Sequence, residues 1–145
     1  MTSYVSAELR RLVRDRADGL CEYCLVHERD AYFDCEVDHV ISEKHGGPTA
    51  DSNLAYACPL CNRAKGSDLG SLTSSSGVLI RFFNPRADRW TDHFRLDGVR
   101  IVPKTEIGDV TARILALNDP ERIEEREMLK ARGRYPSAAA QIQIG

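Results

Sequence analysis

The segments CEYC (21–24) and CPLCN (58–62) enclose the dipeptide Asp38-His39, and this stretch decides the fold. Thiolates two residues apart in paired Cys-x-x-Cys segments are the usual ligands of tetrahedral Zn²⁺. We predict a structural zinc site made of Cys21, Cys24, Cys58 and Cys61. Because four thiolates leave no open position for water, this zinc would stabilise the fold and perform no chemistry.

The alternative for these cysteines is a redox-active pair. That interpretation leaves one Cys-x-x-Cys unexplained, and neither pair has the βαβ surroundings of a thioredoxin-like motif. The N-terminus lacks the basic and apolar regions of an export signal, so we expect a cytoplasmic protein whose thiols stay reduced. Cys35 remains outside both pairs.

Length and composition indicate a soluble globular protein and exclude a membrane protein. The 145-residue chain is 42% hydrophobic and 29% charged, and no apolar run approaches the roughly 20 residues that span a bilayer. A net charge of −2 and a pI near 6.1 argue against binding nucleic acid by charge alone. Arginines do cluster locally, and most are expected to be solvated: Arg10, Arg11, Arg14 and Arg16, then Arg81, Arg86, Arg89, Arg95 and Arg100.

Periodicity and capping residues predict the order helix, strand, strand, helix around the Asp-His pair. The predicted elements are a helix over 6–17 capped by Ser6 and stopped by Gly19, strands within 31–41 and 53–57, and a helix from Pro59 to Gly66. Successive side chains of a strand point to opposite faces. Asp38 and His39 can therefore share one site only where the strand ends, twists or bulges, and we predict such an irregularity.

The second half of the chain differs in composition and is predicted to form an extension. We divide the chain into a site-bearing module, 1–69, and a C-terminal extension, 70–145. The predicted parts are a Gly/Ser/Thr-rich connection over 70–77, a strand over 78–83, a hairpin over 94–102 with Asp97-Gly98 as its turn, helices over 106–117 and 120–132, and a loose tail from Pro136.

The Asp-His pair and a nearby asparagine have the chemistry of a hydrolytic site. Asp38 offers a hard oxygen ligand for Mg²⁺ or Mn²⁺, and His39 can take a proton near neutral pH. Asn62 lies on the same helical stripe as Cys58 and Cys61. An isolated Asp-His pair is common by chance, so its significance depends on these neighbours.

The stretches EVDHVISEKHGG (36–47) and DSNLAYACPLCNRAKG (51–66) resemble the HNH endonuclease family in its cysteine-bearing form. His39, Asn53 and Asn62 stand at the three motif positions, with asparagine in the last place where many members carry histidine. The segment FNPRADRWTDHF and the helices after it resemble a bacterial subgroup with a C-terminal extension. Ser42 departs from the proline that the family often has.

The resemblance implies a ββα-metal fold, two antiparallel strands and a helix around one divalent cation, and a metal-dependent endonuclease acting on DNA. It implies that His39 is the general base and that Asp38 and Asn62 bind the catalytic Mg²⁺ or Mn²⁺. Asn53 would hold the loop that orients His39. The products would carry 5′-phosphate and 3′-hydroxyl ends.

Two other functions fit the same sequence: a nucleic-acid-binding zinc module with weak or no cleavage, and a structural zinc domain for protein contacts. Near the site, Lys44, His45 and Lys65 are candidates for phosphate contacts, with ordinary solvation as the alternative. A single site of this kind nicks one strand, so double-strand cleavage requires a homodimer or successive visits. The sequence leaves the oligomeric state open.

Overall fold

Residues 4–144 are described by the computed structural model, which has a mixed α and β architecture. The helices are α1 (Ala7–Arg16), α2 (Pro59–Lys65), α3 (Trp90–His93), α4 (Glu106–Ile114), α5 (Pro120–Ala131) and α6 (Ala138–Ile144). The strands are β1 (Glu36–His39), β2 (Leu54–Ala57), β3 (Gly70–Leu72), β4 (Leu79–Arg81), β5 (Phe94–Asp97) and β6 (Arg100–Pro103). Each strand pairs antiparallel with one neighbour, β1 with β2, β3 with β4 and β5 with β6. The α+β class predicted from the sequence is confirmed.

The first helix begins where the sequence predicts. The Ser6 hydroxyl accepts a hydrogen bond from the Leu9 amide at 3.1 Å, which satisfies one of the free amides of the first turn. After α1 the chain reverses through Gly19, whose φ of +73° favours glycine. A Cβ there would also meet the His27 side chain at 2.8 Å. This reversal leads directly into the first cysteine pair.

The central unit consists of β1, β2 and α2. Glu36 pairs with Ala57 and His39 with Leu54, so the two strands align over four residues each. The strand predicted within 31–41 is shorter than expected because the chain bends over 31–33 and β1 begins only at Glu36. Helix α2 begins at Pro59, as its missing amide hydrogen allows, and ends before Gly66.

The two hairpins of the second half correct two predictions. Gly70–Leu72, expected to belong to a Gly/Ser/Thr-rich connection, pair with Leu79–Arg81. Gly70 suits this pairing since a Cβ would lie 2.3 Å from the Ile80 carbonyl oxygen. In the next hairpin Asp97 pairs with Arg100, so the turn residues are Gly98-Val99 and not Asp97-Gly98. Gly98 takes the positive φ of +62° that this turn needs.

The C-terminal tail was expected to be loose, and this prediction is wrong. Ala138–Ile144 form helix α6, and Ala140 is fully buried. The Ser137 hydroxyl accepts a hydrogen bond from the Ala140 amide at 3.2 Å, which caps the first turn. Within residues 4–144, none of the helices has the length and apolar character to cross a bilayer.

The extension packs against the segment that carries the first cysteine pair, and one hydrophobic core contains residues of both halves. The Trp90 indole N–H donates to the Tyr23 carbonyl oxygen at 2.9 Å. The Tyr135 hydroxyl donates to the Cys24 carbonyl oxygen at 2.8 Å. Both side chains are almost fully buried, so the extension forms one wall of the cysteine site.

Candidate active site and metal centre

The four predicted zinc ligands lie together in the core. The sulfur atoms of Cys21, Cys24, Cys58 and Cys61 lie within 4.8 Å of one another, and all four residues are buried. The Cys24 and Cys58 sulfurs are 3.8 Å apart, which matches the spacing of about 3.8 Å in a tetrahedron with Zn–S bonds near 2.3 Å. None of these cysteines forms a disulfide. The donor set, which joins both Cys-x-x-Cys segments in one cluster, fits Zn²⁺.

Local backbone geometry fixes each pair of thiols. The first pair lies on a tight turn in which the Leu25 amide donates to the Cys21 carbonyl oxygen at 2.9 Å. Cys58 caps α2, and its sulfur accepts from the Cys61 amide at 3.4 Å. Burial raises the pKa of the Cys21 and Cys61 thiols, whereas hydrogen bonds from Cys21 hold the pKa of Cys24 well below its ordinary value. The cluster therefore favours a thiolate, the form that binds metal.

A side chain that sequence reasoning missed completes this cluster. The Arg122 guanidinium, from helix α5, donates to the Cys61 sulfur at 3.0 Å and lies 3.8 Å from the Cys58 sulfur. In the sequence, Arg122 is one of several charged residues in a helix, and no local pattern connects it with Cys61, which lies 61 positions earlier. Only the packing of the extension brings them together.

A second site is an open cleft of about 380 Å³ between the end of β1 and helix α2. Of the four residues predicted for catalysis or cation binding, His39, Asp38 and Asn62 line it, whereas Asn53 does not. Lys44 also lies on its wall. The neighbouring His45 is exposed in the short 3₁₀ turn Glu43–His45. The fold thus brings Asp38 and His39 of β1 to one cleft with Asn62 of α2.

His39 is the last residue of β1, and its side chain is 10% exposed. Its Nε2 atom lies 2.9 Å from the Thr49 hydroxyl and 3.6 Å from a Glu43 carboxylate oxygen. Neither of these partners was predicted, because both come from the irregular loop between β1 and β2. The ring is therefore held at the cleft by a hydroxyl and a carboxylate.

Asn53 fixes that same loop. Its amide oxygen accepts from the Ile41 amide at 2.9 Å, and its amide nitrogen donates to the carbonyl oxygens of Ile41 and Pro48, also at 2.9 Å. The loop closes so tightly that a Cβ on Gly47 would lie 1.7 Å from the Ile41 carbonyl oxygen. Asn53 is buried and ties two points of the loop to the start of β2.

Asp38 has a different environment from His39. It is 4% exposed, and its carboxylate accepts from the Tyr23 hydroxyl at 2.8 Å and from the Lys65 ammonium at 3.3 Å. Burial raises the pKa of Asp38, and the Lys65 charge opposes that shift. The register of β1 contains no bulge up to its end at His39, so the predicted irregularity is the end of the strand itself.

Lys65 does not lie on the surface, where a phosphate contact was predicted. The side chain is 1% exposed, and its ammonium also donates to the His39 carbonyl oxygen at 3.0 Å. The hydrogen bonds to Asp38 and His39 turn this ammonium away from solvent. Lys65 does lie on the helix α2 that the sequence predicts. A single sequence does not reveal that its side chain faces the buried Asp38 carboxylate.

Asn62 and the arginine clusters complete the polar surroundings. The Asn62 amide nitrogen donates to the Glu36 carboxylate, an acidic neighbour that the sequence did not single out. Several of the clustered arginines pair within the fold: Arg14 with Glu28, Arg81 with Asp88 and Arg86 with Glu22. Arg14 and Arg81 remain about half exposed in these pairs, as expected for solvated arginines, whereas Arg86 is mostly buried.

A comparison with known families matches the region that contains both sites. Residues 21–68 match the model of the HNH endonuclease family. The chain carries an HNH domain. The matched range includes all four zinc-site cysteines and the three motif positions, which confirms the resemblance over that region. Comparison with curated proteins and with solved structures gave no match. The extension lies beyond the end of the HNH match.

Proposed function

We propose that this protein is a metal-dependent endonuclease that hydrolyses DNA phosphodiester bonds, with His39 as the general base. The observation that carries the proposal is the cleft where His39, Asp38 and Asn62 meet within the HNH domain. A zinc ion at the cysteine cluster has a structural role. Chemistry is assigned to this cleft because four thiolates fill the coordination of a zinc ion.

His39 has suitable surroundings for taking a proton from water. Its ring is mostly buried yet lines the open cleft, so a substrate phosphate can approach it. The Glu43 carboxylate, 3.6 Å from Nε2, places negative charge beside the ring on which the proton would arrive. The Asn53 hydrogen bonds hold the loop that contributes Thr49 and Glu43, so Asn53 has a positioning role.

The oxygen donors at the cleft fit a hard divalent cation. We propose that the Asp38 carboxylate and the Asn62 amide oxygen hold Mg²⁺ or Mn²⁺. Such a cation supplies positive charge for the phosphate and the leaving oxygen. Asp38 can accept a further ligand because each carboxylate oxygen has two lone pairs. The Asn62 amide oxygen is free to bind the cation while its amide nitrogen donates to Glu36, because the two atoms are separate hydrogen-bonding groups.

One observation favours a second function, a nucleic-acid-binding zinc module with weak or no cleavage. Lys65 already neutralises Asp38, and this buried ammonium lowers the attraction of that carboxylate for a cation. Under this alternative the protein retains DNA at low salt and nicks none of it. Binding and cleavage are therefore measured on the same preparations.

The test is the conversion of supercoiled plasmid DNA to nicked and linear forms by zinc-loaded protein, with Mg²⁺ or Mn²⁺ added or omitted. Omission is preferable to EDTA since a chelator would also remove structural zinc. We expect cation-dependent nicking that falls by about 10²–10⁴-fold in His39→Ala. His93→Ala, a histidine of α3 that does not line the cleft, is the matched control. Equal nicking by wild type and His39→Ala would refute the assignment of the base, and retention of DNA without nicking would favour the binding module.

A further inference from the structure

The extension contributes a buried cation to the zinc site. Arg122 is 8% exposed, and one guanidinium nitrogen lies 3.0 Å from the Cys61 sulfur and 3.8 Å from the Cys58 sulfur. Both sulfurs belong to the second Cys-x-x-Cys segment, within the HNH domain. Arg122 belongs to helix α5, which lies outside it.

The second terminal nitrogen of the guanidinium is held by backbone atoms. It donates to the carbonyl oxygens of Leu115 at 2.9 Å and Ala116 at 3.3 Å. These carbonyls lie at the C-terminal end of α4, where the helix dipole favours a positive charge. The chain turns there through Ala116, which has a φ of +54°. The end of α4 thus holds the guanidinium so that its free edge faces the sulfurs.

Electrostatics explains why a cation is needed there. Four thiolates and one Zn²⁺ leave about two units of negative charge in a buried site, where uncompensated charge is costly. A hydrogen bond from a cation to a thiolate is also stronger than one between neutral groups.

We propose that Arg122 is a positioning residue of the zinc site that compensates the charge of the thiolates, and that the C-terminal extension thereby controls how tightly zinc is retained. This gives the extension a role in metal retention rather than in DNA cleavage. The proposal depends on the cysteine cluster and is independent of the chemistry at His39.

The same helix offers a matched control. Arg126 is also buried, at 1% exposure, and donates to the Val99 carbonyl oxygen at 2.8 Å and to the Asn118 amide oxygen at 3.2 Å. No hydrogen bond joins it to a cysteine among residues 4–144. Arg126→Met removes a buried guanidinium from α5, as Arg122→Met does. It leaves the hydrogen bond from Arg122 to the Cys61 sulfur in place.

The experiment compares wild type, Arg122→Met and Arg126→Met by competition for zinc against a chromogenic chelator. Mutation of a residue that is hydrogen-bonded to a metal ligand typically lowers metal affinity by about 10–100-fold. We expect a loss of zinc affinity of that size in Arg122→Met and none in Arg126→Met. Arg122→Lys should recover part of the zinc affinity, because lysine restores the positive charge but not the planar donor geometry of the guanidinium. Equal zinc affinity in the two methionine variants would overturn the proposal.

Cobalt substitution provides a readout that a purely structural role would not change. A hydrogen bond to a thiolate lowers the energy of its lone pairs, so its loss should shift the sulfur-to-Co²⁺ charge-transfer bands to longer wavelength. We expect this shift in Arg122→Met and unchanged bands in Arg126→Met. If Arg122→Met does not fold, Arg122→Gln and Arg126→Gln are compared in the same way. Identical bands in that pair would also overturn the proposal.

Discussion

Replacing Lys65 with methionine tests the buried ion pair behind the candidate active site. The Lys65 ammonium is 3.3 Å from the Asp38 carboxylate, and both side chains are almost completely buried. At an effective dielectric constant near 20, this separation corresponds to an attraction of about 5 kcal/mol. Removal of one partner from a buried pair typically costs about 3–5 kcal/mol since the other charge is left uncompensated. We expect Lys65→Met to lose about that much unfolding free energy at pH 7.5.

The measurement is urea denaturation of zinc-loaded protein, followed by the fluorescence of the single buried Trp90. Lys44→Met, in an exposed position near the same cleft, is the control and should change stability by less than about 0.5 kcal/mol. The double variant Asp38→Asn/Lys65→Met should be more stable than Lys65→Met alone, because it no longer contains the uncompensated carboxylate.

The destabilisation should also depend on pH. Burial raises the pKa of Asp38, so the folded state binds this proton more tightly than the unfolded state and loses stability as pH rises through the folded pKa. Lys65 opposes this shift, so its removal raises that pKa further. The difference between wild type and Lys65→Met should therefore be smaller at pH 5.5 than at pH 7.5. A loss below about 1 kcal/mol at pH 7.5, equal at both pH values, would refute this reasoning.

Two further substitutions test the zinc site and the loop. Cys21→Ser should abolish cooperative folding and zinc retention because one missing thiolate opens the coordination shell; a normal melting curve with full zinc content would contradict the structural role. Asn53→Ala should cost about 1–3 kcal/mol and reduce nicking with zinc content unchanged, since it removes the partner of partly buried backbone groups of Ile41 and Pro48. Denaturation and plasmid assays on the same preparation check both effects, and unaltered stability would show that water replaces the amide.

The cysteine cluster and the ββα unit could be predicted because their signals are local. Two Cys-x-x-Cys spacings, Ser6 as a cap, and Pro59 and Gly66 at the ends of α2 each act within a few residues of the chain. The extension was harder to predict. The composition of 70–77 indicated a loop, but pairing with Leu79–Arg81 makes its first part a strand. The buried Ala140 likewise shows that packing orders a tail whose composition is unremarkable.

The roles of charged side chains depended on tertiary structure. Lys65 and Arg122 look like surface residues in the sequence, because lysine and arginine are seldom fully buried unless paired. Their partners, Asp38 and Cys61, are 27 and 61 positions away in the chain. The sequence by itself determined which residues could bind zinc and which could carry hydrolytic chemistry. Only the folded structure decided which charges meet in the interior, where each one requires a partner of opposite charge.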